Sequence, residues 1–83
     1  MRARSAYRLI VTRTGRTPSR LAAAGRVDHL EVVSIDDMEV ALFWDVPARA
    51  TARLEGLLRA DLDALEPQEF YARWAAFDAD TDL

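Results

Sequence analysis

The sequence contains no cysteine, no lysine and only three glycines. Without cysteine the chain can form no disulfide, no zinc–thiolate site, no iron–sulfur cluster and no thiolate nucleophile. Without lysine it can form no Schiff base, and it lacks the phosphate-binding residue of a P-loop. The glycines stand isolated at positions 15, 25 and 56, so there is no glycine-rich loop to cradle a phosphate. These absences exclude several large classes of enzyme and of nucleotide-binding protein.

Long apolar segments are also missing. No window approaches the roughly 20 apolar residues that cross a bilayer, and residues 1–20 have no apolar core of the kind found in secretory signals. We therefore expect a cytoplasmic protein that does not act in a membrane.

Few side chains are suited to acid–base chemistry. The single histidine, His29, lies in a predicted strand with Glu31 on the same face, and Asp36 and Asp37 follow at a predicted turn. A small enzyme or a catalytic accessory subunit would draw on these four residues. Strand and turn positions account for them equally well, since turns favour aspartate for its own backbone hydrogen bonds. We expect no catalytic residue, no metal site and no cofactor.

The composition of the 83 residues, with 51% hydrophobic and 30% charged, is that of one folded globular domain. We therefore expect a single small domain over residues 1–83, with a basic N-terminal arm at residues 1–6 and an acidic tail at residues 78–83. A chain of this length buries only about 60–65% of the surface that its unfolded form exposes. A second copy or another partner would therefore add appreciably to its buried surface.

Charge is distributed unevenly along the chain. Residues 1–27 hold seven arginines and no acid, whereas residues 28–83 hold 14 acids and four arginines. The two halves could pair with each other, within one chain or between two chains. Alternatively, the basic half could bind the phosphates of a nucleic acid. The side chains that would make those phosphate contacts are Arg2, Arg4, Arg13, Arg16 and Arg20.

Alternating and β-branched residues predict three strands. Residues 7–14 form the first, and residues 27–35 and 40–44 flank an acidic turn, which predicts a β-hairpin. Because both faces of residues 40–44 are apolar, we expect that strand at the centre of the sheet. Thr17, Pro18 and Gly25 have the positions of an N-cap, a first-turn proline and a terminating glycine, which predicts a short helix over residues 17–25. Two turns of helix are marginal alone, so a structured loop is the alternative.

A long helix is predicted after the hairpin, with Asp45 as its N-terminal cap and Pro47 in its first turn. Apolar residues spaced by three and four form one stripe. The stripe consists of Ala50, Leu54, Leu57, Leu58, Leu62 and Leu65. On the other face, Glu55, Arg59 and Asp63 are spaced by four, which favours a solvated series of ion pairs.

A shorter helix rich in aromatic residues is predicted to begin at Pro67. The sequence thus predicts an α+β fold: a three-stranded, mostly antiparallel sheet with a β-hairpin, packed by a long amphipathic helix and a short aromatic C-terminal helix.

The open face of such a sheet and the aromatic helix together suggest a non-catalytic protein-interaction module, or a small accessory or regulatory subunit. It would bind a protein partner or its own copy, because aromatic residues are enriched at the centre of interfaces. The candidate interface residues are Phe43, Trp44, Phe70, Tyr71, Trp74 and Phe77. The same rings could instead pack within the monomer. The alternative function is a nucleic-acid-associated regulator that uses the arginine-rich segment.

Overall fold

The computed structural model describes residues 1–13 and 27–82. A 3₁₀ turn and three strands come first, followed by three helices, which confirms the predicted α+β class. The elements are the turn Ala3–Ser5, β1 (Tyr7–Thr12), β2 (Val27–Ser34), β3 (Val40–Pro47), α1 (Ala48–Ala64), α2 (Pro67–Ala75) and α3 (Ala79–Asp82). The short helix predicted over residues 17–25 lies outside the described residues. Among those described, no helix is both long enough and apolar enough to cross a bilayer.

The sheet is antiparallel, with the strands in the order β1-β2-β3. The expectation that residues 40–44 form the central strand is wrong, because β2 lies between the other two in the described sheet. A simple meander places the strand that is second in the chain at the middle. The apolar residues on both faces of β3 have another cause: one face packs on the helices and the other carries the exposed Phe43.

Residues 35–39 connect β2 to β3, which confirms the hairpin predicted from the acidic turn in the sequence. The Met38 N–H donates to the carbonyl of Ser34 over 2.7 Å, and the Ser34 N–H donates to the carbonyl of Glu39 over 2.8 Å. Asp37 Oδ1 accepts a hydrogen bond from the Glu39 N–H over 3.0 Å. Met38 has a φ of 58°, which lies in the left-handed region that residues with a side chain rarely adopt. The turn is therefore held by backbone bonds at some conformational cost.

The hydrophobic core lies between one face of the sheet and the helices α1 and α2. Each element contributes residues from a single face, which is the two-layer arrangement expected of a small α+β domain. The buried cluster consists of Ala3, Leu9, Leu30, Val32, Trp44, Val46, Leu54, Leu58, Leu62, Phe70 and Trp74.

Helix α1 starts later than the sequence predicts. Strand β3 continues to Pro47, and no side chain caps the helix, so Asp45 belongs to the strand and does not act as an N-cap. The buried stripe also differs, since it runs through Thr51 and three leucines, while Leu57 is 49% exposed. At about 100° per residue, Leu57 lies to the side of the line through Leu54 and Leu58, so the inclusion of Leu57 in the stripe was wrong.

Helix α2 begins at Pro67, as predicted. Its preceding residue, Glu66, forms a capping box with Glu69: each side chain accepts a hydrogen bond from the other's backbone N–H. This arrangement satisfies two of the free N–H groups at the start of the helix. The cap fixes the direction of α2 so that Phe70 and Trp74 enter the core.

Candidate interaction site

The sheet face opposite the helices, which we call the open face, carries both apolar and charged side chains. Because successive residues of a strand point to opposite sides, the neighbours of the core residues Leu30 and Trp44 belong to this face. The strand register sets them in two rows across the sheet: Ile10, Glu31 and Phe43 in one row, and Thr12, His29 and Asp45 in the next.

Apolar surface is exposed on and around this face. Phe43 is 49% exposed and Ile10 is 37% exposed, and the helices described above all pack on the opposite side of the sheet. Val27, Ile35 and Val40 are also exposed at the ends of the same strands. Exposed apolar side chains gathered on one face of a sheet make that face a candidate protein interaction site.

A polar pair holds the most exposed ring of the open face in place. His29 Nδ1 lies 2.6 Å from Asp45 Oδ1, so the imidazole N–H donates to the carboxylate. The His29 ring also stacks on Phe43, with ring centroids 5.5 Å apart and an angle of 26° between the planes. A side chain fixed before binding loses less rotamer freedom when a partner covers it. The open face is therefore preorganised around Phe43.

These contacts bear on the acid–base candidates. His29 is oriented by Asp45 across the strands and not by Glu31, its neighbour along β2, and Asp36 and Asp37 lie in the hairpin turn. In the described part of the chain no hydrogen bond joins His29 to a hydroxyl group, and no cluster of three or more metal-ligating side chains occurs. An imidazole held by a carboxylate is half of a catalytic arrangement, and nothing described completes it.

Three of the six candidate interface rings are buried within the monomer. Trp44, Phe70 and Trp74 belong to the core, and the Trp44 and Trp74 rings meet edge to face with centroids 5.8 Å apart. Phe77 packs beside both tryptophans and is partly buried. The indole N–H groups are also satisfied, since Trp44 donates to the Phe77 carbonyl and Trp74 to Asp61 Oδ2. The buried rings stabilise the fold and present little surface to a partner.

The two remaining rings, Phe43 and Tyr71, are exposed on different sides of the molecule. Tyr71 is 44% exposed and stacks on Tyr7, with centroids 6.5 Å apart. Tyr7 packs against the core, so Tyr71 belongs to the helical side and Phe43 to the open face. The structure therefore does not bring the six candidate interface residues into one surface.

The candidate phosphate contacts among the described arginines have partners within the chain. Arg2 Nη1 donates to the carbonyl of Ala64 over 2.9 Å. Arg4 and Arg13 form ion pairs with acids of α1, at 3.3 Å from Asp63 and 2.9 Å from Glu55. The arm over residues 1–6 is also anchored by its backbone, since Ala3 is fully buried and its N–H donates to the Leu65 carbonyl. Arg16 and Arg20 lie outside the described residues.

Glu55 lies at the centre of the charged contacts between β1 and α1. The hydrogen bonds from Arg13 and Arg59 lower the pKa of the Glu55 carboxyl below its usual value of 4.5. Arg59 binds it with two nitrogens, at 3.1 Å and 2.9 Å from Oε2. The predicted series along α1 thus forms only in part: Glu55 pairs with Arg59, while Asp63 pairs with Arg4.

A groove follows the outer edge of β1, where the strand meets α1. We call it the β1 groove; its volume is about 280 Å³. The lining residues are Arg4, Tyr7, Arg8, Leu9, Ile35, Arg59, Leu62 and Asp63. Three of these eight are arginines and one is an acid, so the groove is basic although the chain as a whole is acidic.

No family model matches this chain, and neither a curated protein nor a solved structure does. The open face and the β1 groove are therefore the two surfaces from which a function can be inferred. One presents a preorganised aromatic ring on a mixed apolar and charged face, and the other is a basic groove beside a strand edge.

Proposed function

We propose that this chain is a non-catalytic protein-interaction module, or the small accessory subunit of a larger assembly, that self-associates through the open face. The observation that carries the proposal is the state of Phe43: the residue is 49% exposed, and a histidine held by Asp45 stacks on its ring. An aromatic ring held in one orientation on an open sheet is the kind of anchor on which interfaces depend. We propose the cytoplasm as the compartment.

A second copy of the chain suits this surface because a two-fold axis can bring the exposed apolar side chains of two copies together. A two-fold axis parallel to the strands, placed between two facing sheets about 10 Å apart, sets β1 of one copy over β3 of the other. Because Ile10 and Phe43 lie in the same row of the sheet, this axis sets Ile10 of each copy over Phe43 of the other.

The size of the open face limits the strength of this association. Strands of six to eight residues, spaced about 4.8 Å apart, cover roughly 350 Å² in projection for three strands. A standard interface buries about 800 Å² on each partner. We therefore expect a weak dimer that dissociates on dilution, with a dissociation constant in the micromolar range or above.

The test is sedimentation velocity over a concentration series. Phe43 and Leu57 are each 49% exposed, but Leu57 lies on α1, away from the open face. We expect Phe43→Thr, which keeps a strand-favouring residue, to weaken dimerisation at least about tenfold, the equivalent of losing ~1.4 kcal/mol of contact. Leu57→Gln should leave it unchanged. A wild-type chain that stays monomeric at about 1 mM, or equal effects of the two substitutions, would refute the proposal.

We do not extend the proposal to nucleic acid as a partner. Arg2, Arg4 and Arg13, three of the five arginines in that hypothesis, already contact α1. These contacts favour the interpretation in which the basic and acidic parts of the chain pair with each other. Binding to duplex DNA that weakened with salt, with a log–log slope near −0.9 for each phosphate contacted, would restore the alternative.

A further inference from the structure

The outer edge of β1 has backbone groups free to pair with another strand. The Ile35 N–H donates to the Ala6 carbonyl over 2.9 Å, so residues 6 and 35 form a hydrogen-bonded pair. Such pairs alternate along an antiparallel ladder, and the next ones on β1 are therefore residues 8, 10 and 12. The N–H and C=O groups of Tyr7, Leu9 and Val11 consequently point away from β2. Since β1 is the outermost strand of the described sheet, these groups have no strand partner within it.

The β1 groove beside this edge has an excess of positive charge. Arg4 and Arg59 belong to ion pairs with Asp63 and Glu55, and both arginine side chains remain more than half exposed. The side chain of Arg8 is exposed and forms no hydrogen bond and no ion pair with the described residues. Arg8 therefore gives the groove one positive charge that no described acid neutralises. A carboxylate entering the groove would meet one unengaged guanidinium and two that are accessible to it.

We propose that the β1 edge binds an extended acidic peptide segment as an additional antiparallel or parallel strand. The free backbone groups of β1 would supply the main-chain hydrogen bonds, as in other cases of strand addition to a sheet edge. Alternate residues of the added strand point to the same side at intervals of about 6.6–6.8 Å. Acidic side chains at alternate positions would therefore reach the β1 groove and pair with Arg8. This site uses the outer edge of β1 and does not involve Phe43.

Charge decides between this occupant and a second copy of the chain. Pairing two β1 edges would bring two basic grooves together, and like charges that face each other across an interface cost binding energy. An acidic segment instead neutralises the groove. The acidic end of the same chain lies elsewhere, because α3 packs beside β3 at the opposite edge of the sheet. The occupant is therefore a segment of another protein.

Binding of a defined probe tests the proposal. The probe is a fluorescently labelled peptide of alternating glutamate and valine, and the control peptide alternates lysine and valine; both are titrated with the full chain at low salt. We expect the acidic peptide alone to bind, and Arg8→Glu to weaken its binding at least about tenfold. Arg53→Glu makes the same charge change on an exposed part of α1 outside the groove and should change the affinity less than about twofold. Equal binding of the two peptides, or equal effects of the two substitutions, would overturn the proposal.

Amide hydrogen exchange distinguishes strand addition from a purely electrostatic contact. Amide hydrogen exchange is measured by NMR with and without the acidic peptide. We expect the amides of Tyr7, Leu9 and Val11 to become protected, because the added strand takes up their N–H groups. Peptide binding that protects none of them would show a purely electrostatic contact and would refute strand addition. Titrating the acidic peptide with the Phe43→Thr variant separates this site from self-association, since that variant should bind the peptide with unchanged affinity.

Discussion

Arg13 Nη2 lies 2.9 Å from Glu55 Oε1, joining two residues 42 positions apart in the sequence. The bond ties the end of β1 to the middle of α1, and the pair between Arg4 and Asp63 ties the residues before β1 to the last turn of the same helix. The uneven charge of the sequence thus corresponds to contacts between the sheet and the helix. Exposed ion pairs contribute only about 0–1 kcal/mol each, so these contacts orient β1 more than they stabilise it.

The Glu55 contacts predict a pH-dependent effect on stability. Because Arg13 and Arg59 lower the pKa of Glu55 in the folded state, ionised Glu55 stabilises the fold at pH values above 4.5, and this contribution is lost as the pH falls through the lowered pKa. We expect Glu55→Gln to reduce the free energy of unfolding by about 0.5–1 kcal/mol at pH 7. The difference from the wild type should shrink below pH 4.5.

Urea denaturation at pH 7 and at pH 3 measures this difference. Arg13→Gln, alone and combined with Glu55→Gln, completes a double-mutant cycle that isolates the coupling between the two side chains. A difference that is the same at both pH values would contradict the assignment of the lowered pKa to these ion pairs.

The hairpin turn predicts a stabilising substitution. Met38 has a φ of 58° and an exposed side chain. The left-handed conformation costs an L-residue roughly 1–2 kcal/mol and costs glycine nothing for lack of a Cβ, although glycine loses more backbone entropy on folding. We expect Met38→Gly to increase the free energy of unfolding by about 0.5–1 kcal/mol, which corresponds to several degrees in Tm. Met38→Val, with a branched Cβ, should lower Tm in the same thermal melt. The opposite order of the two variants would show that the turn does not hold residue 38 in this conformation.

The elements of the fold follow from local signals in the sequence. Alternation of apolar residues on either side of Asp36 and Asp37 is sufficient to predict the hairpin. The spacing of the leucines predicts α1, and Pro67 marks the start of α2 because proline fits the first turn of a helix. Each signal acts within a few residues, and the structure confirms all three elements.

The partners across the sheet do not follow from such signals. The pairing of His29 with Asp45 depends on the strand register, which shifts between Val32 and Val33. A shift of one residue moves a side chain to the other face, so the pair could be recognised only once the register was known. Alternation separates Phe43 from Trp44, but which of the two is buried depends on where α1 and α2 pack. Sequence patterns could therefore identify both rings as interface candidates, but they could not show which of the two is exposed.

A partly buried hydrogen bond between Trp74 and Asp61 predicts that removing the aspartate destabilises the fold. Asp61 Oδ2 accepts hydrogen bonds from Trp74 Nε1 over 3.0 Å and from Arg73 Nη1 over 3.1 Å. Trp74 is buried, so Asp61→Ala leaves its indole N–H without an acceptor, at a cost of about 1–3 kcal/mol in the free energy of unfolding. Asp61→Asn keeps an oxygen acceptor and should cost less.

Chemical denaturation followed by tryptophan fluorescence measures the Asp61 variants. The matched control is Asp63→Ala, which removes an exposed aspartate paired with Arg4 from the same helix. An exposed pair of this kind is worth about 0–1 kcal/mol. If Asp63→Ala were as destabilising as Asp61→Ala, the cost at Asp61 would not derive from the indole N–H.

From the hydrogen bond between Thr51 and Asp28 we expect a substitution that lowers stability and leaves self-association unaffected. Thr51 Oγ1 donates to Asp28 Oδ2 over 2.7 Å, and both residues are buried. An intramolecular hydrogen bond contributes about 0.5–1.5 kcal/mol, so Thr51→Val, which keeps the shape but removes the donor, should lower the free energy of unfolding by about that amount. Thr51→Ser keeps the hydroxyl and should be milder. Since Asp28 points to the core while its neighbour His29 points to the open face, the proposed self-association, measured by sedimentation velocity, should be the same for the folded Thr51→Val variant as for the wild type. Loss of dimerisation in a variant that is still folded at the temperature of the experiment would show that the interface includes the first turns of α1.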